Sequence, residues 1–381
     1  MVTARYAPFL GGIETHVGET VRRMAERDLD VTVLTTDPRG DMPAQEHDGV
    51  DVRRFRAWAA RADVYASPAL VRELTAGGYD LVHVQGVHTA LPPMVLAAAQ
   101  RAGIPNLLTF HTGGHSNRLR GVLRRPQWRA LRPLLRRADA LVAVCEYEVA
   151  HFSRSMGVDP GHIRLVPNGA EPLPVSGSVL AVPGSPLIVS VGRLERYKGH
   201  HRLIAALPAL LEAAPAARLV IVGRGPYERH LRRQAARLGV GESVTFLSFD
   251  HDSRAGLGAL VASADAVALL SDYEAHPVAV IEALALGRKV VVADTSGLTE
   301  LARHDLVTAV PVDAGPGEIA RVVAAVAAAP CGAAPSLPTW EDCVDDLVDL
   351  YGELLARHRP RASHTTASQV TSAPAPSAGQ L

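Results

Sequence analysis

The sequence predicts an α/β protein built from two halves, each with its own parallel sheet. Short apolar runs alternate with amphipathic stretches of helical length along most of the 381 residues. Helical crossovers of this length join parallel strands and cover both faces of a sheet. A stretch rich in Gly, Pro and Ser at 169–186 interrupts the alternation, and a second series of the same kind follows it. We therefore expect two α/β domains joined by a linker.

The predicted strands are buried apolar runs of six or seven residues. In the first half they lie at 30–36, 81–86, 106–111, 140–145 and 163–168. In the second half they lie at 187–192, 217–223, 243–248, 265–271 and 289–294. The chain also starts inside its first strand, because a buried strand of this kind would extend several residues before Val2. We therefore predict that the native start lies upstream of Met1; the alternative is a first strand that is naturally short.

Changes of composition divide the chain into four parts. Residues 1–170 form the first predicted domain and residues 171–337 the second. Apolar residues at helical spacing in WEDCVDDLVDLYGELLA predict a closing helix at 338–358 that packs back towards the first domain. Residues 359–381 are rich in Ser, Thr, Ala and Pro and are predicted to be disordered, because they cannot bury enough apolar surface.

Composition and charge exclude several classes of protein. Lys and Arg together number 39, as do Asp and Glu, so the overall charge indicates no nucleic-acid partner. Cys145, Cys331 and Cys343 have no metal-like spacing and cannot form a disulfide framework. No stretch has the apolar length of a signal peptide or a membrane span. We expect a cytoplasmic protein without a bound metal.

The most informative segment is SDYEAHPVAVIEALALGRKVVVAD at 271–294. A buried strand ends near its first residue, a short loop carries Glu274, and a helix begins near Pro277. Free backbone N–H groups of His276, Val278 and Ala279 would lie at the helix start, where they can hold a phosphate. Glu274 can accept hydrogen bonds from sugar hydroxyls, and Glu282 from those of a ribose. The segment predicts a sugar-nucleotide site at the carboxyl end of a parallel sheet.

A second segment, SVGRLERYKGHHRLIAAL at 190–207, places two cations in another strand-end loop. The strand ends at Val191, Gly192 allows a tight turn, and the loop is bracketed by Arg193 and Lys198. Cations that converge there can neutralise a diphosphate leaving group as its charge develops. A loop Arg and Lys taken alone are more often solvated, so this prediction depends on the presence of the acidic segment.

The first half contributes two glycines and a histidine. Gly11 and Gly12 lie between a short strand and a helix, where the backbone can approach a phosphate closely. His111 follows a buried strand and is expected to face the cleft, where an imidazole can donate to a sugar hydroxyl. The alternatives are a plain strand-to-helix turn and a structural histidine. Other polar residues expected near the cleft are Gln85, His88 and His115.

Two of these segments resemble the donor site of a known family. The E-x7-E spacing of Glu274 and Glu282 and the S-x-G-R-L-x-x-x-K-G element at 190–199 are similar to the signature of retaining glycosyltransferases of the GT4 family, glycosyl transferases group 1. The resemblance covers about residues 1–358. It implies the GT-B fold, which has two Rossmann-like domains with parallel sheets facing an interdomain cleft. The first domain would then lie on the acceptor side and the second would bind the nucleotide sugar.

The resemblance also implies the chemistry and the residues that perform it. The family moves a sugar from a nucleotide-diphosphate sugar, here a UDP- or GDP-sugar, to an acceptor hydroxyl, with retention of anomeric configuration and without a metal or cofactor. The implied catalytic residues are His111, Arg193, Lys198 and Glu274. The implied donor-binding residues are Gly11, Gly12, Gly192, Arg193, Lys198, Glu274, His276, Pro277, Val278 and Glu282. Ser248 stands where the family commonly has glycine, which leaves the choice of base open.

Three alternatives stay open at this level. The same fold also carries sugar-nucleotide epimerases and glycan phosphorylases, and a catalytically silent sugar-nucleotide-binding protein would keep the same residues. No motif identifies the acceptor, whether glycan, lipid-linked or small molecule. The segment from Arg118 to Arg137 is rich in arginine, and such a basic amphipathic segment can rest on an anionic membrane at its inner face. A solvated helix face is the other interpretation of that segment.

Overall fold

The computed structural model of the protein describes residues 1–9, 11–37, 49–58, 64–111, 128–175, 182–249 and 253–358, and the backbone of residues 45–47. Several positions singled out in the sequence lie outside the described residues. They are His115, Arg118, Arg120, Arg124, Arg125 and the tail 359–381.

The first half of the chain forms one sheet. Its strands are β1 (Val2–Thr3), β2 (Thr32–Asp37), β3 (Gln45–His47), β4 (Val50–Arg56), β5 (Val82–Gln85), β6 (Asn106–Thr109), β7 (Ala140–Ala143) and β8 (Ile163–Leu165). Its helices are α1 (Gly12–Ala25), α2 (Pro68–Ala76), α3 (Leu91–Ala102) and α4 (Glu146–Met156), and residues 128–135 are also helical. The strand order is β3-β4-β2-β1-β5-β6-β7-β8, with β3 antiparallel to β4 and the other neighbours parallel.

The second half forms a separate sheet that is parallel throughout. Its strands are β9 (Leu187–Val191), β10 (Arg218–Val222), β11 (Val244–Leu247), β12 (Ala266–Leu269), β13 (Val290–Ala293) and β14 (Thr308–Val310). Its helices are α5 (His200–Ala213), α6 (Glu228–Arg237), α7 (Arg254–Ser263), α8 (Val278–Ala285), α9 (Ser296–Arg303) and α10 (Pro316–Ala328). The strand order is β11-β10-β9-β12-β13-β14, so the sequence order reverses at β9.

The predicted α/β class with two parallel sheets is confirmed. Every predicted strand is present, with its ends within three residues of the expected ones. The structure adds β3, β4 and β14. In β4 the pattern is weak because charged residues occupy most positions, and Val50 and Val52 alone are fully buried while Asp51 is exposed.

Helices cover both faces of the second sheet, which explains its continuous apolar strands. Ile188 belongs to the core cluster on one face, where it joins residues of α5 and α10. Val189 points the other way and joins the cluster that contains residues of α7 and α8. Since both faces are buried, the polar surface available to a ligand is the edge where the strands end.

The last helix, α11 (Trp340–His358), packs on the first sheet. Its Leu347 and Leu354 share a core cluster with Leu107 and Val142. The chain therefore passes between the two sheets twice, and the two passages touch where the Ala170 amide donates to the Pro338 carbonyl at 2.7 Å.

A buried arginine ties both passages to α1. The guanidinium of Arg23, 5% exposed, donates to Glu19 on its own helix, to Glu171 and to Glu341. Three carboxylates around one guanidinium compensate its burial.

As for membranes, none of the described helices is both long and apolar enough to span one.

Candidate active site

The candidate site lies at the carboxyl ends of β9 and β12. These neighbouring strands flank the point where the strand order reverses, and open parallel sheets bind ligands at such a point. The loop after β9 carries Gly192, Arg193 and Lys198, and the loop after β12 carries Glu274. The topology thus brings the two predicted segments together.

A buried ion pair joins the two loops. Lys198 Nζ donates to Glu274 Oε1 at 2.5 Å, and Ser271 Oγ donates to the same oxygen at 2.7 Å. Burial by itself would lower the pKa of Lys198, but Glu274 and Tyr197 raise it above its ordinary value, so the ammonium stays charged. Neither bond uses Glu274 Oε2, and Nζ keeps two further protons. The pair can therefore offer both an acceptor and a donor to a ligand.

Two backbone bonds hold the loop that carries Glu274. The Glu274 amide donates to Ser296 Oγ at 2.8 Å, and its carbonyl accepts from the Gly297 amide at 2.9 Å. A side chain at Gly297 would collide with the carbonyl of Ala275, so the two loops approach closely only because this residue is glycine. The carboxylate is thus positioned before any ligand arrives.

Helix α8 begins directly after this loop. Pro277 is its N-cap and Val278 its first residue, one position later than the sequence predicts, and Gly287, with φ of 68°, follows its end. The first amides of a helix have no partner within it and carry partial positive charge. With His276 preceding them, these residues form the helix start at which the sequence predicts an anion site.

Arg193 is the more exposed of the two cations. Its side chain is 48% exposed and pairs with Glu195 at 2.7 Å. Glu274 and Tyr197 raise the pKa of Lys198, and the charge of Arg193 opposes this rise. Burial raises the pKa of Glu14 on α1, and Arg193 opposes that rise as well. Arg193 is therefore close to both the buried lysine and the start of the first-domain helix.

Glu282 lies in α8 and is paired with an arginine that the sequence reasoning did not consider. Arg254 Nη2 donates to Glu282 Oε1 at 2.6 Å. Burial raises the pKa of Glu282 to about 7, although Arg254 opposes this shift. Since the bond uses only Oε1, the second oxygen is available for the predicted contact with a ribose.

The first domain contributes the start of α1. Gly11 caps this helix without a side-chain bond, and Gly12 is exposed with open space around it. Burial raises the pKa of Glu14, and Arg5, 3.6 Å away, lowers it. Gly12 therefore leaves the backbone accessible at the helix start, whereas the Glu14 carboxylate lies against Gly11.

His111 is more enclosed than the sequence suggests. It is 8% exposed, has a positive φ of 44°, and its Nε2 lies 2.7 Å from Gln85 Oε1. Burial lowers its pKa well below the ordinary value, and His16 lowers it further, so the ring is neutral. A neutral ring facing an amide oxygen must donate from Nε2. That nitrogen is therefore engaged, and Nδ1 and the backbone carbonyl are the groups left for a sugar.

Comparison with known proteins gives the family. Residues 10–172 match the family model Glycosyltransferase Family 4, and residues 177–329 match Glycosyl transferases group 1. The D-inositol 3-phosphate glycosyltransferase of Salinispora tropica is 30% identical, over 93% of this chain and 83% of the relative. The chain belongs to glycosyltransferase family 4. A glycogen synthase of Mycobacterium tuberculosis is 28% identical over 86% of this glycosyltransferase and 84% of its own length.

Solved structures confirm the predicted GT-B fold of this glycosyltransferase. Sucrose-phosphate synthase from Thermosynechococcus elongatus superposes with a TM-score of 0.74 at 20% identity, over 93% of this chain and 98% of that one. Anabaena HepE in complex with UDP and glucose superposes with a TM-score of 0.72 at 20% identity, over 92% and 99%. At this identity the likeness concerns the fold alone.

Several residues of the glycosyltransferase site escaped the sequence reasoning. Ser271 stands in the quoted segment, three positions before Glu274, and its place at a strand end was a usable signal. Asn168 is the last residue of the predicted strand 163–168 and precedes a glycine, but it was interpreted only as the point where the linker begins. Ser296 and Arg254 gave no signal, because their contacts with the site join distant parts of the chain.

Proposed function

We propose that this glycosyltransferase moves a sugar from a UDP- or GDP-sugar to an acceptor hydroxyl with retention of anomeric configuration. The observation that carries the proposal is the Lys198–Glu274 pair, 2.5 Å long, at the reversal point of the second sheet and next to the start of α8. A cation, a carboxylate and a helix start within one crevice match a diphosphate with a sugar attached.

The leaving group would be held by the two cations and the helix start. As the bond between the anomeric carbon and the phosphate oxygen breaks, negative charge develops on the diphosphate. Lys198 and Arg193 stabilise that charge, and the amides at the start of α8 add to it. The Gly11–Gly12 backbone approaches the same phosphates from the first domain.

The sugar and the ribose would be held by the two glutamates. Glu274 Oε2 accepts from sugar hydroxyls, while Glu282 accepts from the ribose. The acceptor oxygen attacks the anomeric carbon on the face that the phosphate leaves, and its proton passes to a phosphate oxygen of the departing nucleotide. His111, through Nδ1 or its carbonyl, contacts the sugar beside the anomeric carbon.

No resident metal or cofactor has a part in this proposal. Two cations at the leaving group supply the positive charge that a divalent ion would otherwise supply. Transfer is therefore expected to persist in EDTA at an undiminished rate, and a rate restored only by added Mg²⁺ or Mn²⁺ would reject this part of the proposal.

Similar proteins support a nucleotide-sugar donor. HepE is described in complex with UDP, with UDP and glucose, and with UDP-glucose. The named relatives are an inositol-phosphate glycosyltransferase and a glycogen synthase, whose acceptors differ in kind. The HepE complexes favour a uridine donor for this chain.

A separate proposal concerns the basic segment between residues 118 and 137. In its described part, Arg129, Arg132, Arg136 and Arg137 are exposed on and after the helical residues 128–135. Exposed arginines on one segment suit an anionic lipid surface at the inner face of the membrane. Sedimentation with anionic and neutral liposomes tests this, and equal binding to both would reject it.

The donor proposal is tested by incubating the protein with UDP-, GDP- and ADP-sugars and measuring nucleotide release. We expect release with at least one UDP- or GDP-sugar and its loss in Glu274→Gln, while that variant keeps its fold. Product analysis separates transfer from epimerisation and phosphorolysis. Binding without turnover would indicate a silent homologue, and near-full activity of Glu274→Gln would overturn the assignment.

A further inference from the structure

Asn168 occupies the junction between the two domains. It follows β8, is 4% exposed, and makes hydrogen bonds in two directions. Its Nδ2 donates to the His276 carbonyl at 2.9 Å, and its Oδ1 lies 3.0 Å from His16 Nδ1. Because a carbonyl can only accept, the amide nitrogen must face His276. The amide oxygen therefore faces His16, whose Nδ1 must carry a proton.

The two partners of Asn168 belong to the two helices that frame the donor site. His16 lies in the second turn of α1, which begins at Gly12. His276 immediately precedes Pro277, the N-cap of α8. One side-chain amide thus connects the helix start of the first domain with that of the second.

The surroundings leave the amide little freedom. The His16 ring packs edge-on against His111, with centroids 4.5 Å apart, and against Trp340 at 5.9 Å. Burial lowers the pKa of His16 to about 4, so the imidazole is neutral and keeps the Nδ1 proton that the contact requires. Beside Asn168, a side chain at Gly169 would collide with the backbone of Trp340. The segment that leads into α11 therefore lies directly against the backbone next to Asn168.

We propose that Asn168 is a positioning residue, which sets the loop carrying Glu274 and the start of α8 against α1. The loop is held at Glu274 by its own domain and at His276 by Asn168. Both functions of the amide are needed, because His16 requires an acceptor and the His276 carbonyl requires a donor. An aspartate would keep the first contact and set a carboxylate against a carbonyl. The role in donor binding rests on the proposed function.

The first test is independent of activity. Hydrogen exchange of the ligand-free protein is measured for the amides of residues 274–281 in Asn168→Ala, Asn168→Asp and Asn106→Ala. Asn106 is the matched control, because it is 3% exposed and its side chain donates to Asp139 and to the Ile104 carbonyl. It is the first residue of β6 and so lies at the amino ends of the strands, away from Asn168. We expect these amides to exchange faster in both Asn168 variants than in wild type. In Asn106→Ala they should exchange at the wild-type rate. Unchanged exchange in the Asn168 variants would overturn the proposal.

The second test uses the donor that the nucleotide-release panel identifies. We expect the donor KM of Asn168→Asp and Asn168→Ala to rise about tenfold or more, as the loss of a buried polar contact implies, with a smaller change in kcat. Asn106→Ala should keep the wild-type KM even where its melting temperature falls. His16→Ala combined with Asn168→Ala should cost less than the product of the single effects, since both remove the same link.

The outcomes separate the two proposals. A wild-type protein that releases no nucleotide would reject the proposed function and leave the exchange test standing. A donor KM within twofold of wild type in both Asn168 variants would overturn the positioning role. Fully independent effects of His16→Ala and Asn168→Ala would do the same, because a link through one amide predicts coupling.

Discussion

The two loops that frame the proposed donor site are held in different ways. In the second domain, Glu274 is hydrogen-bonded through its amide, its carbonyl and its carboxylate. In the first domain, Gly11 caps α1 without a side-chain bond, and Gly12 is exposed with open space beside it. Groups that stabilise a developing charge act best when they are fixed beforehand. The difference indicates that the second domain supplies preorganised chemistry, while the first offers accessible backbone.

The largest effect is expected from Lys198, the cation in the hydrogen-bonded loops of the second domain. Lys198→Ala removes the charge beside the leaving group and leaves Glu274 without its buried partner. By analogy with the removal of one charge-stabilising donor, we expect kcat to fall roughly 10²–10³-fold. Steady-state nucleotide release measures this.

The chain offers a matched control in its other lysine. Lys289 bonds to the carbonyls of Val326 and Ala329 at the end of α10, and it lies directly before β13, at the amino ends of the strands and away from the site at their carboxyl ends. Lys289→Ala should lower the melting temperature and preserve kcat. Equal kcat values for the two lysine variants would remove the contrast between a chemical and a structural role.

The next effect concerns the backbone on the fixed side. Gly199 has φ of 75°, and a side chain there would collide with the Leu270 carbonyl. Gly199→Ala should destabilise the protein by about 2 kcal/mol or more, because it combines left-handed backbone with a steric conflict. Chemical denaturation measures this, and a variant as stable as wild type would show that the two loops can move apart.

The pKa of Glu282, about 7 by burial, predicts a smaller effect that depends on pH. The folded state binds this proton between pH 4.5 and 7, where the unfolded chain has released it. The free energy of unfolding therefore falls through this window as pH rises. Glu282→Gln should remove this contribution to the pH dependence of the free energy of unfolding. The melting temperature of the variant should therefore rise relative to that of wild type between pH 5 and pH 8.

Thermal melts of both proteins across this range provide the measurement. The donor KM of wild type should also fall from pH 6 to pH 8, because the ionised carboxylate is the better acceptor for a ribose, and Glu282→Gln should lack this trend. Parallel melting profiles for the two proteins would contradict the assignment of the pKa to this residue.

The smallest effect is expected in the first domain, at the exposed start of α1. A side chain at Gly12 would meet no atom, so Gly12→Ala should change the free energy of unfolding by less than about 1 kcal/mol. The donor KM should nevertheless rise several-fold if this backbone approaches the phosphates. An unchanged KM would confine donor binding to the second domain and make the contrast between the loops complete.

Much of the fold was predictable because burial leaves a local pattern. Strands buried on both faces are continuous apolar runs, and their ends were placed within three residues. The antiparallel pair β3 and β4 was missed, because charged residues occupy most positions of β4 and leave no continuous apolar run. Pairing partners such as β1 between β2 and β5 also leave no local pattern.

The sequence by itself determined the class of the protein, the two sheets, the strand-end loops that carry Lys198 and Glu274, and the place of Glu282 in the helix that follows. Hydrophobic periodicity and strand-end loops depend on residues close together in the chain, so they can be recognised in the sequence alone. Only the tertiary structure decided that Arg254 pairs with Glu282, that Gln85 engages His111, and that Asn168 links His16 to His276. The residues that Asn168 joins lie 152 and 108 positions away, and no local pattern encodes a contact over such distances.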